Sequence, residues 1–261
     1  MSLLTIIIPC YNEEARLLID DFRVFLKDYQ ENMLFVNDGS KDGTMDILLE
    51  LEKEFPSKVN VLDLKKNVGK GEAIRHGVLF GTTNRPEDMV GFMDADLATP
   101  FVEINKLVNI IRNSQYKMVA GCRITRLGAN VQRFMYRHYL SRIYNTVISN
   151  YLEIPLYDSL CGAKFFNVDF AHTVFTEPFV TKWLFDVEIY RRIAYYGMRA
   201  DEVCYEMPLQ EWIERRGSKF ILRDILKLPW EFFKILNHFK EKNYQSDLND
   251  LYGNPANMQN I

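Results

Sequence analysis

Five short apolar runs punctuate the first half of the chain: Leu4 to Ile8, Met33 to Val36, Val59 to Leu64, Met89 to Met93 and Met118 to Cys122. Each is too short for a helix and mostly apolar, the pattern of a strand buried on both faces of a sheet. Most are separated by segments of helical period. Phe22, Phe25, Leu26 and Tyr29 form one such stripe, and Ile104, Leu107, Val108 and Ile111 another, both spaced i, i+3, i+4, i+7. This alternation predicts right-handed βαβ units, hence an α/β fold with a mainly parallel sheet and helices on both faces. With 261 residues and 48% hydrophobic content, the chain has the apolar material for that core.

The second half is less regular. It predicts a helix from Gln132 to Leu152, a strand from Ser159 to Val168, a helix from Phe185 to Tyr196, a strand from Ala200 to Met207 and a long helix from Phe220 to about Lys242, bent at Pro229. Residues 243–261 turn polar and read as a loose tail. One domain over 1–242 is expected, with residues 1–122 as one half and 123–242 as the other.

A formal net charge of −3 gives no global attraction to nucleic acid, and no nucleic-acid partner is expected. Cys10, Cys122, Cys161 and Cys204 show neither a CxxC pair nor zinc spacing, which fits reduced, inert thiols. The apolar opening at Leu3 to Ile8 is too short for a signal peptide, and no stretch approaches the ~20 apolar residues of a membrane span. The expectation is a cytoplasmic protein, at most peripheral on the inner face of a membrane.

Polar clusters close three of the apolar runs. They are Pro9-Cys10-Tyr11-Asn12-Glu13, Asn37-Asp38-Gly39-Ser40 and Asp94-Ala95-Asp96. In an open α/β sheet, ligands bind beyond the carboxyl ends of the strands, so these clusters should converge. Taken singly, each is also good turn or helix-capping chemistry. Asp94 and Asp96 offer hard oxygen ligands that suit Mg²⁺ or Mn²⁺ carrying a diphosphate.

With the downstream segments added, the chain from about Leu3 to Lys240 resembles the family 2 glycosyltransferases of GT-A fold, and within them the polyprenyl-phosphate hexosyltransferases. Thr5 to Glu13 resembles the opening strand and nucleotide loop, Val36 to Ser40 the second loop, and Asn67-Val68-Gly69-Lys70-Gly71 the third. The resemblance implies that Asp38 contacts the base, that the loop of Pro9, Tyr11 and Glu13 cradles base and ribose, and that Gly69, Lys70 and Asp94 complete the nucleotide site. Asp94-Ala95-Asp96 matches the family's DxD signature, with Asp96 as chief metal ligand and Asp94 beside it.

Asp158-Ser159-Leu160-Cys161-Gly162-Ala163-Lys164-Phe165-Phe166 resembles the D-[ST]-x-C-G-x-K-x-[FL] segment of lipid-phosphate enzymes, and Trp183 to Glu188 their W-x-F-D-x-E helix start. The Glu211 to Lys219 stretch, and Ala98 where several mannosyltransferases carry Gln, are more similar to dolichyl-phosphate β-glucosyltransferases.

The resemblance implies an inverting transfer of a hexose, expected to be glucose from UDP-glucose, onto a polyprenyl phosphate. Arg123, Arg133, Arg137 and Lys219 are the expected acceptor-phosphate cations, with Arg133 and Arg137 on one face of the helix they open. Asp96, Arg123 and Asp186 are the expected catalytic residues. Two other readings remain open. One is a family 2 enzyme acting on a saccharide hydroxyl with Asp186 as general base, and the other a nucleotide-sugar-binding module without catalysis. The apolar-aromatic stripe of residues 135–148 and the basic face at Arg223, Lys227 and Lys234 suit helices resting on a bilayer.

Overall fold

The computed structural model describes residues 4–83, 88–215 and 227–241. The expected strands form as β1 (Leu4–Cys10), β2 (Asn32–Asp38), β3 (Val59–Leu64), β4 (Met89–Phe92) and β5 (Met118–Cys122). Helices α1 (Ile19–Asp28), α2 (Thr44–Glu54), α3 (Lys70–Thr83) and α4 (Phe101–Asn113) connect them. The second half adds β6 (Asn130–Gln132), α5 (Met135–Leu152), β7 (Lys164–Asn167), α6 (Val168–Phe175), α7 (Phe185–Tyr195), α8 (Ala200–Val203), β8 (Cys204–Pro208), β9 (Glu211–Ile213) and α9 (Leu228–Glu241).

Seven strands form one sheet in the order β3-β2-β1-β4-β7-β5-β8. All neighbours run parallel except β7, which is antiparallel to both β4 and β5. Strands from both sides of residue 122 therefore share one sheet, and β6 pairs with β9 in a separate ribbon.

Side chains alternate across this sheet into two cores, as period 2 requires. Ile6, Ile8, Met33 and Phe35 pack with Phe22 and Leu26 of α1, Leu48 of α2 and Leu107 of α4. Ile7, Leu34 and Val36 pack on the other face with Ile74 of α3, Phe175 of α6, Ile189 of α7 and Ile235 of α9. Each of these buried aliphatic and aromatic chains contributes about 1.5–3 kcal/mol. Where β4 meets β7, Gly91 lies opposite Phe165, and a Cβ at 91 would collide with that ring.

The second half corrects four expectations. The strand predicted over Ser159 to Val168 is only β7, because Asp158 to Ala163 form a loop held by side-chain hydrogen bonds. The strand predicted from Ala200 begins at Cys204, after the single helical turn of α8. The helix predicted from Gln132 begins at Met135, since Gln132 ends β6 and pairs with Ile213. Pro229 bends nothing in the described part of α9: it sits in the first turn, where its missing N–H breaks no helical bond. The rest of that predicted helix, residues 220–226, and the tail at 243–261 lie outside the described residues. Among the described residues no helix is long and apolar enough to cross a membrane.

Candidate active site

The carboxyl ends of β1, β2, β3 and β4 open onto a cavity of about 730 Å³. Pro9, Tyr11, Glu13, Asp38, Gly69, Lys70, Asp94 and Asp96 all line it, so every described residue expected to bind nucleotide or metal converges there. Cys10, Arg16, Asn67, Lys182 and Trp183 line it too.

The loops that carry these residues are laced into a ring. After β1, Asn12 adopts a left-handed backbone (φ 49°); its N–H donates to Ser40 Oγ (3.0 Å), and its side-chain oxygen accepts from the Lys41 N–H (2.8 Å). Asn12 and Ser40 thus join the first loop to the second. The second loop reaches the third through Asp38, whose carboxylate accepts the N–H groups of Val68 (2.7 Å) and Gly69 (3.0 Å). Gly39 permits this approach: its φ is +65°, and a Cβ would stand 2.6 Å from the backbone of Lys66. The third loop reaches the metal-type motif through Lys70, whose ammonium lies 2.5 Å from Asp94 Oδ1. The ring closes where Arg16, in the turn after the first loop, places Nη2 3.4 Å from Asp96 Oδ2 and Nε 3.6 Å from Glu13.

Burial sets the charge states of this ring. It raises the proton affinity of Asp38, outweighing the two backbone hydrogen bonds. Asp96 is raised as well, by burial and then by the neighbouring charge of Asp94. For Lys70 burial opposes ionisation, but Asp94, Asp186 and Asp96 outweigh it and push its pKa up. Leu97 is held at φ 52°, an uncommon backbone for a branched residue, next to Asp96, whose Oδ1 accepts the Ala98 N–H (3.1 Å). Among the described residues no group of three or more His, Cys, Asp or Glu side chains is arranged to cage a metal. Two carboxylates facing a cavity instead fit a divalent cation whose remaining ligands are ligand oxygens and water, the usual manner of Mg²⁺.

A second cluster adjoins the first. Gly162 lies so close to Asp94 that a Cβ there would overlap its carboxylate, so the Asp158 to Ala163 loop packs directly against the cavity wall. Asp158, on that loop, binds Arg123 through two parallel hydrogen bonds (2.7 and 2.8 Å) and also accepts the Arg123 N–H (3.0 Å). Although burial works against its ionisation, the Arg123 guanidinium holds Asp158 well below the usual carboxylate range. Glu206 of β8 fixes this loop by accepting the N–H groups of Tyr157 (2.7 Å) and Asp158 (2.8 Å). The guanidinium of Arg123 lies 5.2 Å from the ring centre of Trp212, and that of Arg133 lies 5.8 Å from the same ring. Arg133 Nε is buried with no hydrogen-bond partner among the described residues. Burial and then the nearby Arg123 charge lower the pKa of Arg133.

Arg137 stands apart from this pair. Arg133 precedes α5 rather than opening it, so the two do not share a helix face, and Arg137 Nη1 binds Glu214 Oε1 at 2.6 Å. Asp186, in the first turn of α7, is buried and paired with Lys164 at 2.5 Å. Lys164 is itself fully buried and donates to the carbonyls of Ser159 (3.0 Å) and Cys161 (2.7 Å). Lys219 lies outside the described residues.

A mainly parallel sheet flanked by helices, with a laced loop ring and an acidic pair at its carboxyl edge, defines a glycosyltransferase of GT-A fold. The chain belongs to glycosyl transferase family 2, whose model matches residues 5–175. It is 30% identical to a dolichyl-phosphate beta-glucosyltransferase of Trichomonas vaginalis, over 89% of this chain and 72% of that one. The human dolichyl-phosphate beta-glucosyltransferase is 29% identical, over 84% and 69%. In fold, the chain is similar to glucosyl-3-phosphoglycerate synthase of Mycobacterium tuberculosis. The complex of that protein with Mn²⁺, UDP and glucosyl-3-phosphoglycerate gives a TM-score of 0.66 at 15% identity, covering 91% of this chain and 80% of that one. The complex with Mg²⁺ and UDP gives 0.62 at 16% identity, covering 91% and 79%.

Proposed function

We propose that the protein is an inverting, metal-dependent hexosyltransferase that moves glucose from UDP-glucose to a dolichyl-like polyprenyl phosphate. The carrying observation is the pairing of Arg123 and Arg133 against Trp212, one loop away from Asp94 and Asp96. An arginine whose buried Nε has no partner among the described residues, beside an arginine already committed to Asp158, is a place for an anion. The chain's likeness to dolichyl-phosphate beta-glucosyltransferases supports reading that anion as a polyprenyl phosphate, and solved structures of the same fold hold UDP with Mn²⁺ or Mg²⁺.

Asp96 and Asp94 would hold Mg²⁺ or Mn²⁺, which when bound neutralises the charge of the departing diphosphate. Lys70 adds a second cation at the same place, and the loop of Pro9, Tyr11 and Glu13, with Asp38 at the end of β2, holds the nucleoside. Arg123 and Arg133 orient the acceptor phosphate so that one of its oxygens lies in line with the anomeric carbon. A phosphate oxygen is already ionised and requires no base. That suits Asp186, whose carboxylate is occupied by Lys164 and whose main effect is to fix the loop against which Asp94 rests.

The reading includes the membrane. Met135, Tyr136, Tyr139, Ile143 and Val147 of α5 are exposed, as are Trp230 and Phe233 of α9 beside Lys227 and Lys234. Tyr151 and Phe232 pack ring against ring and hold the two helices together. Such aromatic and basic faces suit peripheral attachment to the inner, cytoplasmic side of a lipid bilayer that carries the acceptor.

A donor screen with UDP- and GDP-sugars, each offered a synthetic polyprenyl phosphate or a free saccharide and read by product mass, tests the reading. Glucosyl-phosphate lipid formed from UDP-glucose is expected. A glycosylated saccharide with no lipid product would overturn it.

A further inference from the structure

The segment Phe179 to Trp183, between α6 and α7, is suspended from three carboxylates on three different helices. Glu72 of α3 accepts the Phe179 N–H (2.6 Å), and Glu188 of α7 accepts the Val180 N–H (3.1 Å) and the Thr181 hydroxyl (3.3 Å). Glu231 of α9 accepts the N–H groups of Lys182 (3.4 Å) and Trp183 (2.8 Å). Glu188 and Glu231 are buried; Glu188 is also paired with Arg192 (2.7 Å), whereas Glu231 accepts backbone amides of this segment from a place where a carboxylate is costly. The side chains this arrangement presents are Lys182 and Trp183, both on the wall of the donor cavity. A Cβ at Gly69 would stand 3.9 Å from Lys182 Cγ, and the charge of Lys182 is felt by Asp38. No hydrogen bond or ion pair to a described residue engages its ammonium.

We propose that Lys182 is a donor-contacting residue, supplying to the nucleoside diphosphate a cation in addition to Lys70, and that Glu231 is the positioning residue that sets its place. The inference rests on the nucleotide-sugar reading of the cavity. It gives α9 a part in donor binding, although that helix lies beyond the portion matched by the family model. The backbone of Lys182 cannot move outward without breaking both bonds to Glu231, so the reach of its ammonium is fixed by a residue that itself touches no donor.

The test measures UDP and GDP binding in Mn²⁺ by calorimetry, on the full chain, for Lys182→Met, Lys182→Arg, Glu231→Ala, Glu231→Gln and the double variant Lys182→Met/Glu231→Ala. Lys182→Met removes an exposed charge and leaves packing intact; it is expected to raise the Kd for UDP about tenfold, the value of one charge-assisted contact. Lys182→Arg should recover most of that. Glu231→Ala should weaken binding about fivefold, and Glu231→Gln, whose single carbonyl oxygen can accept only one of the two N–H groups, should fall between Glu231→Ala and the unaltered protein. If Glu231 acts through Lys182, the double variant binds no more weakly than Lys182→Met. Unchanged UDP affinity in Lys182→Met, or single effects that multiply in the double variant, would overturn the inference alone. Failure of the unaltered protein to bind either nucleotide would overturn the donor reading and this inference with it.

Discussion

The donor cavity and the arginine cluster beside it are built from opposite charge balances. Glu13, Asp38, Asp94 and Asp96 face the cavity against Arg16, Lys70 and Lys182, so among the described residues acids exceed bases by one. Around Trp212 it is a cation that lacks a partner: Asp158 pairs with Arg123 and Glu214 with Arg137, and no ion pair to a described residue engages Arg133. Charges left over in a partly buried site have to be met by something. The cavity is short of a cation and the cluster short of an anion, which is the demand expected of neighbouring sites for a metal-bound diphosphate and an anionic acceptor. The two sites also differ in how they are held: the cavity by short bonds among loops, the cluster by the buried Arg123–Asp158 ion pair and the Glu206 carboxylate beneath the Asp158 loop.

The sharpest way to break this comparison is to remove the acidic excess. Asp96→Ala is expected to lower metal-dependent transfer about a thousandfold and to weaken UDP binding in Mn²⁺. Calorimetry and product assays that find both unchanged would remove the metal assignment. Next in size is the ion pair beneath the cluster. Asp158→Ala leaves Arg123 buried without its partner, and urea titration should show a loss of about 3 kcal/mol. The same pair gives a pH signature. Its folded pKa is depressed, so the contribution is present in full above the unfolded value of about 4 and declines only as pH falls below that. The stability difference from Asp158→Asn should therefore be constant from neutral pH to about pH 5 and narrow in stronger acid.

Removing the uncompensated arginine tests the other half of the contrast. Arg133→Ala should reduce transfer to polyprenyl phosphate about fiftyfold while changing the Kd for UDP less than about twofold. Equal losses in both would merge the two sites into one. A smaller effect lies at the membrane face. Lys227→Glu with Lys234→Glu should weaken co-sedimentation with anionic vesicles about tenfold or more, each cation contributing on the order of 1 kcal/mol. Activity on a short soluble prenyl phosphate should persist. The smallest expected signal is that of the thiols: burial pushes Cys161 up to about 11 and Cys204 up to about 12, so iodoacetamide at pH 8 should leave both unmodified until the protein is unfolded.

The two regions were also unequally legible before folding. Tyr11, Asp38, Asp94 and Asp96 stand at the ends of apolar runs, and any parallel sheet must gather such positions at one edge. Arg16 shows no such mark, because its partner Asp96 is 80 residues away and only the closed ring reveals it. The nearest signal was its spacing three residues after Glu13. Trp183 stood within a recognisable helix-start motif, yet its place on the cavity wall, like that of Lys182, depends on three carboxylates from distant helices. The arginines were legible by type but not by partner. Helical period suggested one face for Arg133 and Arg137, whereas β6 pairing with β9 ends the strand at Gln132 and leaves Arg133 outside the helix.

The antiparallel strand β7 has a consequence for how the chain reaches this state. It is inserted between β4 and β5, so neither of those strands has its partner on that side until Lys164 to Asn167 have been synthesised. A nascent chain ending near Cys122 carries β4 with an open, apolar edge and β5 with no sheet to join, the kind of surface that pairs with other chains or recruits a chaperone. The half that carries the nucleotide loops is therefore not an early, self-sufficient folding unit. Its completion waits on the half that carries the arginines, and in the cell the two sites become competent together.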